Sequence, residues 1–366
     1  MFLVECRQDL LSLLIHDLIG ARVPLRRCHQ SDPRVTTVFA PNPVHLLNNS
    51  SLWDHSDSNT AVPSLAYISI PPGELQNLDP PQGGQYYLSG SYAVINDWDN
   101  PPSPPPASPD ANFPFFRADD GFEAAMAYYW IDWCQTYVQD IAFDSACNRA
   151  ILIDPHGYSG SHNASYGLLL GQDQPGFGRL RFGDGGVDAA EDAEAILHEY
   201  GHAIFDNIAP DIFDGDTAAP WNQSRALDEG SADYWGASMT DSLFPTSFPS
   251  AYFAEWWAHE TPLSPLHTRR LDTGKNYGDS VYAPYDSAHV NGEIWSGCLW
   301  ELMQQVGKRI TDSLLLCSIL RMRADLIENP TFPGAAWTLD ASINVATIPS
   351  HTLLRYPIPH LLFVMS

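Results

Sequence analysis

VDAAEDAEAILHEYGHAIFDNI, residues 187–208, decides how this chain is read. An acidic, alanine-rich start precedes apolar residues at three- and four-residue steps, the pattern of a helix opening at its favoured end. Within it, His198-Glu199-Tyr200-Gly201-His202 forms an HExxH. Residues four apart share one helix face, so both imidazoles can reach one metal ion with Glu199 beside it.

Two further stretches extend that reading. ALDEGSAD, residues 226–233, places Glu229 and Asp233 on one face of a second helix. Glu229 completes a His₂Glu set with a fourth position open to water, as a catalytic zinc requires. Asp233 is positioned to accept the free ring N–H of a histidine ligand, which fixes the ring's tautomer and orientation. AHVNGE, residues 288–293, opens another helix, and His289 there can donate to an oxyanion developing on an attacked carbonyl.

The rest of the sequence bounds the molecule around these motifs. Its 366 residues suffice for two domains or one large one, and 44% hydrophobic with 12% aromatic residues exclude a mostly disordered chain. Eighteen Lys+Arg against 44 Asp+Glu leave a net charge of −26, which repels nucleic acid and anionic lipid, so neither is an expected partner. No apolar run reaches transmembrane length. Six scattered cysteines without a CxxC pair form neither a disulfide framework nor a zinc ribbon; buried thiols are expected. Glu5, Arg7, Asp9, His16 and Asp17 interrupt the N-terminal twenty residues, which read as an amphipathic helix rather than a clear signal peptide.

Residues 31–116 are rich in Pro, Gly, Asn and Ser, with strand-like runs at 34–39, 65–70 and 85–95. PPSPPPASP, residues 101–109, reads as a stiff connector. Helical spacing begins near Asp119, where Phe122, Met126, Tyr129, Trp133 and Tyr137 form an aromatic-rich core stripe. Short strands follow near 150–154 and 179–182, and helices are expected over 226–240, 289–306 and 309–323.

HEYGHAI, ALDEGSADYWG and AHVNGEIW resemble the thermolysin-like zinc metallopeptidases of the gluzincin group, closest to the fungalysin branch and its bacterial relatives. VFAPNPV, the Pro-rich run, FFRADDGFEAAMAYYWID, GRLRFGDGGVDAAEDAEAILHEYGH and RRLDTGKNYGD extend the likeness to about Asp340. The resemblance implies an α+β fold: a β-rich domain over 31–210 ending in the HExxH helix, a mainly helical domain over 211–345, and zinc at the junction. Residues 1–30 and 346–366 fall outside the pattern. By the same likeness, His198, His202 and Glu229 are zinc ligands, Glu199 the general base and Asp233 the acid behind a ligand. His289 steadies the tetrahedral intermediate, with Asp286 as candidate orienting partner. Asp206, one turn after His202, is a second acid held against a ligand. Asn163-Ala164 binds substrate backbone along an edge strand, and Arg269 or Arg270, with Arg270 favoured, contacts the substrate carbonyl. Thermolysin's own oxyanion tyrosine has no counterpart, since Pro220 stands nearest; Tyr282 or Tyr285 could take its role.

The expected activity is a zinc-dependent endopeptidase acting on peptide or protein substrates through a metal-activated water. The alternatives are a gluzincin-type aminopeptidase and a zinc-binding, catalytically inactive peptide-recognition scaffold. An extracellular location follows from the resemblance alone. Calcium is compatible with the many acids, but no twelve-residue EF-hand loop points to it. Asn48, Asn49, Asn163 and Asn222 begin glycosylation sequons, and a glycan on Asn163 would obstruct the expected cleft.

Overall fold

A computed structural model describes residues 35–71, 75–213, 223–241, 248–279, 287–324, 330–331 and 335. The fold mixes helices with several small sheets and belongs to the α+β class. The expected N-terminal helix, the C-terminal tail, Asp286, Pro220, Tyr282 and Tyr285 lie outside the described residues.

The first strands, β1 (Thr36–Phe39) and β2 (Tyr67–Ile70), pair antiparallel with Thr36 opposite Ile70, around a short helix α1 (Pro43–Leu47). The run expected as one strand over 85–95 divides into β3 (Tyr86–Tyr87) and β4 (Ala93–Ile95), because the chain turns back on itself at Ser89–Gly90, where Gly90 N–H reaches Ala93 O. The Pro-rich run is more than a connector: β5 (Ala107–Ser108) lies within it and pairs with β3.

Helix α2 (Gly121–Asp140) is buried along most of its length, because aromatic residues occupy several of its faces. Trp130 is fully buried and its indole N–H reaches Phe39 O at 3.0 Å; Phe39 in turn packs edge-on against Phe122 at 4.8 Å. That aromatic core fixes the first sheet against α2. The thiols of Cys134, Cys147, Cys298 and Cys317 are free and buried, as expected.

The main sheet contains β6 (Ile151–Gly157), β7 (Ala164–Gly167) and β8 (Arg179–Gly183) in the order β4-β6-β8-β7. The β4–β6 and β6–β8 pairs are parallel; β7 runs antiparallel to β8 and forms the sheet's edge. Helices α2 and α3 (Ala193–Ile208) pack on this sheet. Asp192 caps α3 by accepting from Glu194 N–H at 3.0 Å, and Pro210 follows just past its end. The remaining helices are α4 (Gln223–Asp241), α5 (Ser287–Val306) and α6 (Lys308–Ala324), joined by a two-strand ribbon of β9 (Tyr252–Phe253) and β10 (Arg269–Arg270).

Helix α4 lies between α3 and α5 and is buried over nearly its whole length despite its polar composition. A methyl group on Gly230 would sit 2.3 Å from Gly292 O, so the α4 and α5 backbones meet where neither carries a side chain. No helix among the described residues is long and apolar enough to cross a membrane.

Candidate metal centre

Helix α3 presents two faces. Ile196, Leu197, Tyr200, Ala203 and Ile204 enter the core, while His198, Glu199 and His202 line a cleft of about 370 Å³. The i,i+4 spacing brings the two histidine rings to 4.7 Å between centres, with their Nε2 atoms 3.1 Å apart. From α4, Glu229 Oε2 lies 3.3 Å from His198 Nε2 and 3.6 Å from His202 Nε2. From α5, His289 Nε2 approaches the same oxygen at 3.2 Å.

The outer ring nitrogens decide what the inner ones can do. Asp228 Oδ1 lies 2.8 Å from His202 Nδ1. Asp233 Oδ1 lies 2.9 Å from His198 Nδ1, although off-line for a good hydrogen bond. Each carboxylate favours a proton on the Nδ1 it faces, so each ring in its neutral form turns an Nε2 lone pair toward one point. Glu229 Oε2 sits at that point, buried and without a hydrogen bond of its own. Two imidazole lone pairs and a carboxylate oxygen converging in a buried place are the donor set of a transition-metal ion, zinc above all. The residues fit the group.

The electrostatics match this arrangement. Burial alone would raise the Glu229 carboxyl, but the surrounding imidazoles of His198, His202 and His289 hold it well below the usual range. Burial opposes a charge on His202, yet Asp228 and Glu229 hold that ring well above its ordinary value; Asp233 and Glu229 raise His198 likewise. Asp233 is brought down to about 2 against its burial, first by Arg269 and then by His198.

Glu199 lines the cleft beside the histidines and accepts from Tyr166 N–H at 2.7 Å. Asn163 and Ala164 border the same cleft at the start of edge strand β7, with Asn163 exposed. Thus His198, His202, Glu229, Glu199, His289, Asn163 and Ala164 come together, and Asp233 stands directly behind His198.

Two residues fall elsewhere than expected. Asp206 lines the cleft but braces β7 and its neighbours, accepting from Tyr166 O–H at 2.6 Å and Gly176 N–H at 2.9 Å. The acid against His202 is Asp228, whose only signal in the sequence was its place beside Glu229. Arg270 is not among the residues lining the cleft; it pairs with Asp272 and lies over Tyr252. Successive residues of a strand point to opposite sides, so Arg269 instead turns back onto Asp233, donating through Nε at 2.6 Å and through a terminal nitrogen at 2.7 Å. No protein-family model and no curated protein sequence matches the chain.

Proposed function

We propose that this chain is a zinc-dependent endopeptidase, built as a β-rich part to about residue 210 and a mainly helical part beyond it, with the metal between them. The observation that carries this reading is the buried, hydrogen-bond-free Oε2 of Glu229 facing the Nε2 atoms of His198 and His202. Those three side chains would hold the ion. When bound, zinc supplies Lewis acidity toward a carbonyl oxygen and toward water.

Chain residues account for the remaining chemistry. Gly183 N–H takes the Asn163 carbonyl at 2.9 Å, so alternation along antiparallel β7 turns the N–H and C=O of Ala164 away from β8. A peptide added along that free edge is held by main-chain hydrogen bonds, with its backbone drawn past Glu199. Tyr166 N–H fixes one Glu199 oxygen, and the carboxylate takes a proton from the attacking water and returns it to the leaving amine. His289, at the rim of the cleft, donates to the oxygen that gains charge as the carbonyl carbon becomes tetrahedral. Asp228 and Asp233 keep the imidazoles aimed inward, and Arg269 keeps Asp233 ionised.

Hydrolysis of a peptide blocked at both ends and quenched across an internal bond tests this reading. Chelator-sensitive cleavage, restored by zinc, is expected. Cleavage only of peptides with a free amino terminus would replace it with an aminopeptidase. Zinc binding without cleavage of either would leave the inactive peptide-binding scaffold.

A further inference from the structure

Strands β7 and β8 pair antiparallel, yet eleven residues, 168–178 (LLLGQDQPGFG), join them. A hairpin turns in about two to five residues, and a longer ordered loop usually carries function. Polar anchors hold this one from both sides. Asp173 Oδ2 accepts from Leu169 N–H at 2.8 Å, and Arg179 grips the same carboxylate through Nε at 2.7 Å and a terminal nitrogen at 2.9 Å. From α3, Asp206 takes the Gly176 N–H, and the Asn207 side-chain amide donates to Gly176 O at 3.0 Å. Arg149 donates to Gly178 O at 2.9 Å.

The loop's large apolar side chains stay outside the core. Leu170 is 93% exposed, Phe177 54% and Leu168 39%, and none of them joins the buried apolar cluster. Arg149 lies over the Phe177 ring at 5.3 Å, steadying it while leaving half of it in water. Single leucines on a surface are ordinary; several large apolar side chains gathered on one firmly held loop mark a binding surface.

Continuity with the cleft names the occupant. Leu168 is the first residue after edge strand β7 and lines the histidine cleft, so the apolar run begins inside the cleft and leaves it at Leu170. A peptide lying on the free edge of β7 advances about 3.3 Å per residue. Counted from the residue beside Ala164, the fourth therefore comes alongside Leu168, and the next two lie over the start of the loop. Antiparallel addition, the more stable pairing, puts those residues on the amino-terminal side of the bond to be cut. The net charge of −26 repels an anionic lipid surface, and a second copy of the chain carries the same charge. An extended apolar stretch of substrate meets neither barrier.

We propose, on the reading of the cleft given above, that the β7–β8 loop is an exosite: a second substrate-binding surface, outside the cleft, for apolar side chains about four to six residues amino-terminal to the scissile bond. The substrate class is then unfolded polypeptide, since folded proteins keep such side chains in their cores.

Three quenched peptides, blocked at both ends and alike around the scissile bond, test this in the zinc-loaded full chain. One carries Leu and Phe about four to six residues before the bond, one carries them as far after it, and one has Ser at all those positions. The first should show a KM about tenfold below the other two at similar kcat, since contacts so far from the bond hold ground and transition states alike. Leu170→Ser combined with Phe177→Ser should remove that advantage, with melting temperature and cleavage of the serine peptide unchanged. Anisotropy of fluorescent forms of the same peptides on zinc-loaded Glu199→Gln protein should give the same ranking in Kd without turnover. Equal affinity for all three peptides, an advantage for the second, or an advantage that survives the double substitution would overturn the proposal. So would self-association, or binding to neutral phosphatidylcholine vesicles, that the double substitution abolishes. Selective binding with no cleavage would uphold the exosite and remove the peptidase reading; cleavage without selectivity would do the reverse.

Discussion

Replacing Asp228 tests whether the HExxH pair is held from behind by a residue outside the motif. Asp228 Oδ1 lies 2.8 Å from His202 Nδ1, and the side chain is largely withdrawn from water, so solvent screens the contact little. Asn keeps an acceptor of similar shape and loses the charge; Ala loses both. Removing such an outer partner weakens metal affinity by about 10- to 100-fold, or about 1.4–2.7 kcal/mol. Asp228→Asn should fall near the lower figure and Asp228→Ala near the upper, measured by competition with a chromophoric chelator. The zinc-free protein should also change. Asp228 raises the His202 pKa in the folded state, so its stabilising effect is full below about pH 6.5 and fades as pH rises through the folded value. The melting difference between wild type and variant should therefore be greatest in acid. Unchanged zinc affinity in folded Asp228→Ala would refute the argument and leave His202 oriented by packing alone.

Glu199→Gln should retain zinc and lose peptide turnover by about 10²- to 10⁴-fold, since an amide cannot take the water's proton; retained turnover in metal-loaded protein would remove Glu199 from the mechanism. His289→Ala should lower kcat about a hundredfold with KM nearly constant, and because its ring stands 3.2 Å from Glu229, unchanged zinc content is needed to separate an oxyanion donor from a ligand. Burial and then Asp192 push Glu255 up to about 8, and burial and neighbouring acids raise Glu194 as well. Their folded pKa values exceed the unfolded ones, so the fold holds extra protons and loses stability as pH climbs from about 4.5 toward 8. Denaturant titrations should show Glu255→Gln flattening that decline, and parallel curves for the two proteins would refute it.

Much of the fold was legible because its helices announce themselves locally. The α3 cap, the aromatic spacing of α2 and the polar run of α4 all sit within one stretch of sequence each. The convergence of His198, His202 and Glu229 was legible for the same reason: HExxH and ExxxD are fixed by helical periodicity. What the sequence concealed depends on pairing across distance. Strand β5 is hidden among prolines because its only evidence is its partner β3. The choice between Arg269 and Arg270 turns on which side of a two-residue strand faces α4, and that depends on where the ribbon docks. The resemblance placed Asp206 against a ligand, one turn after His202, yet the edge strand claims it through the Tyr166 hydroxyl.

The bare backbone contact between Gly230 and Gly292 gives the cleft a gauge that none of its polar side chains supplies. Gly230 follows Glu229 directly, and Gly292 lies one turn beyond His289, so the separation of the two helices sets the span between those side chains. An alanine at 230 would ask α5 to retreat by about 1 Å to reach ordinary contact, and displacements of about that size can cost a hundredfold in rate. The distance from Glu229 to His289 is therefore written in two positions that hold no functional group at all. A chain carrying every histidine and carboxylate of this site, but bulkier at either glycine, would possess the chemistry without the calibration.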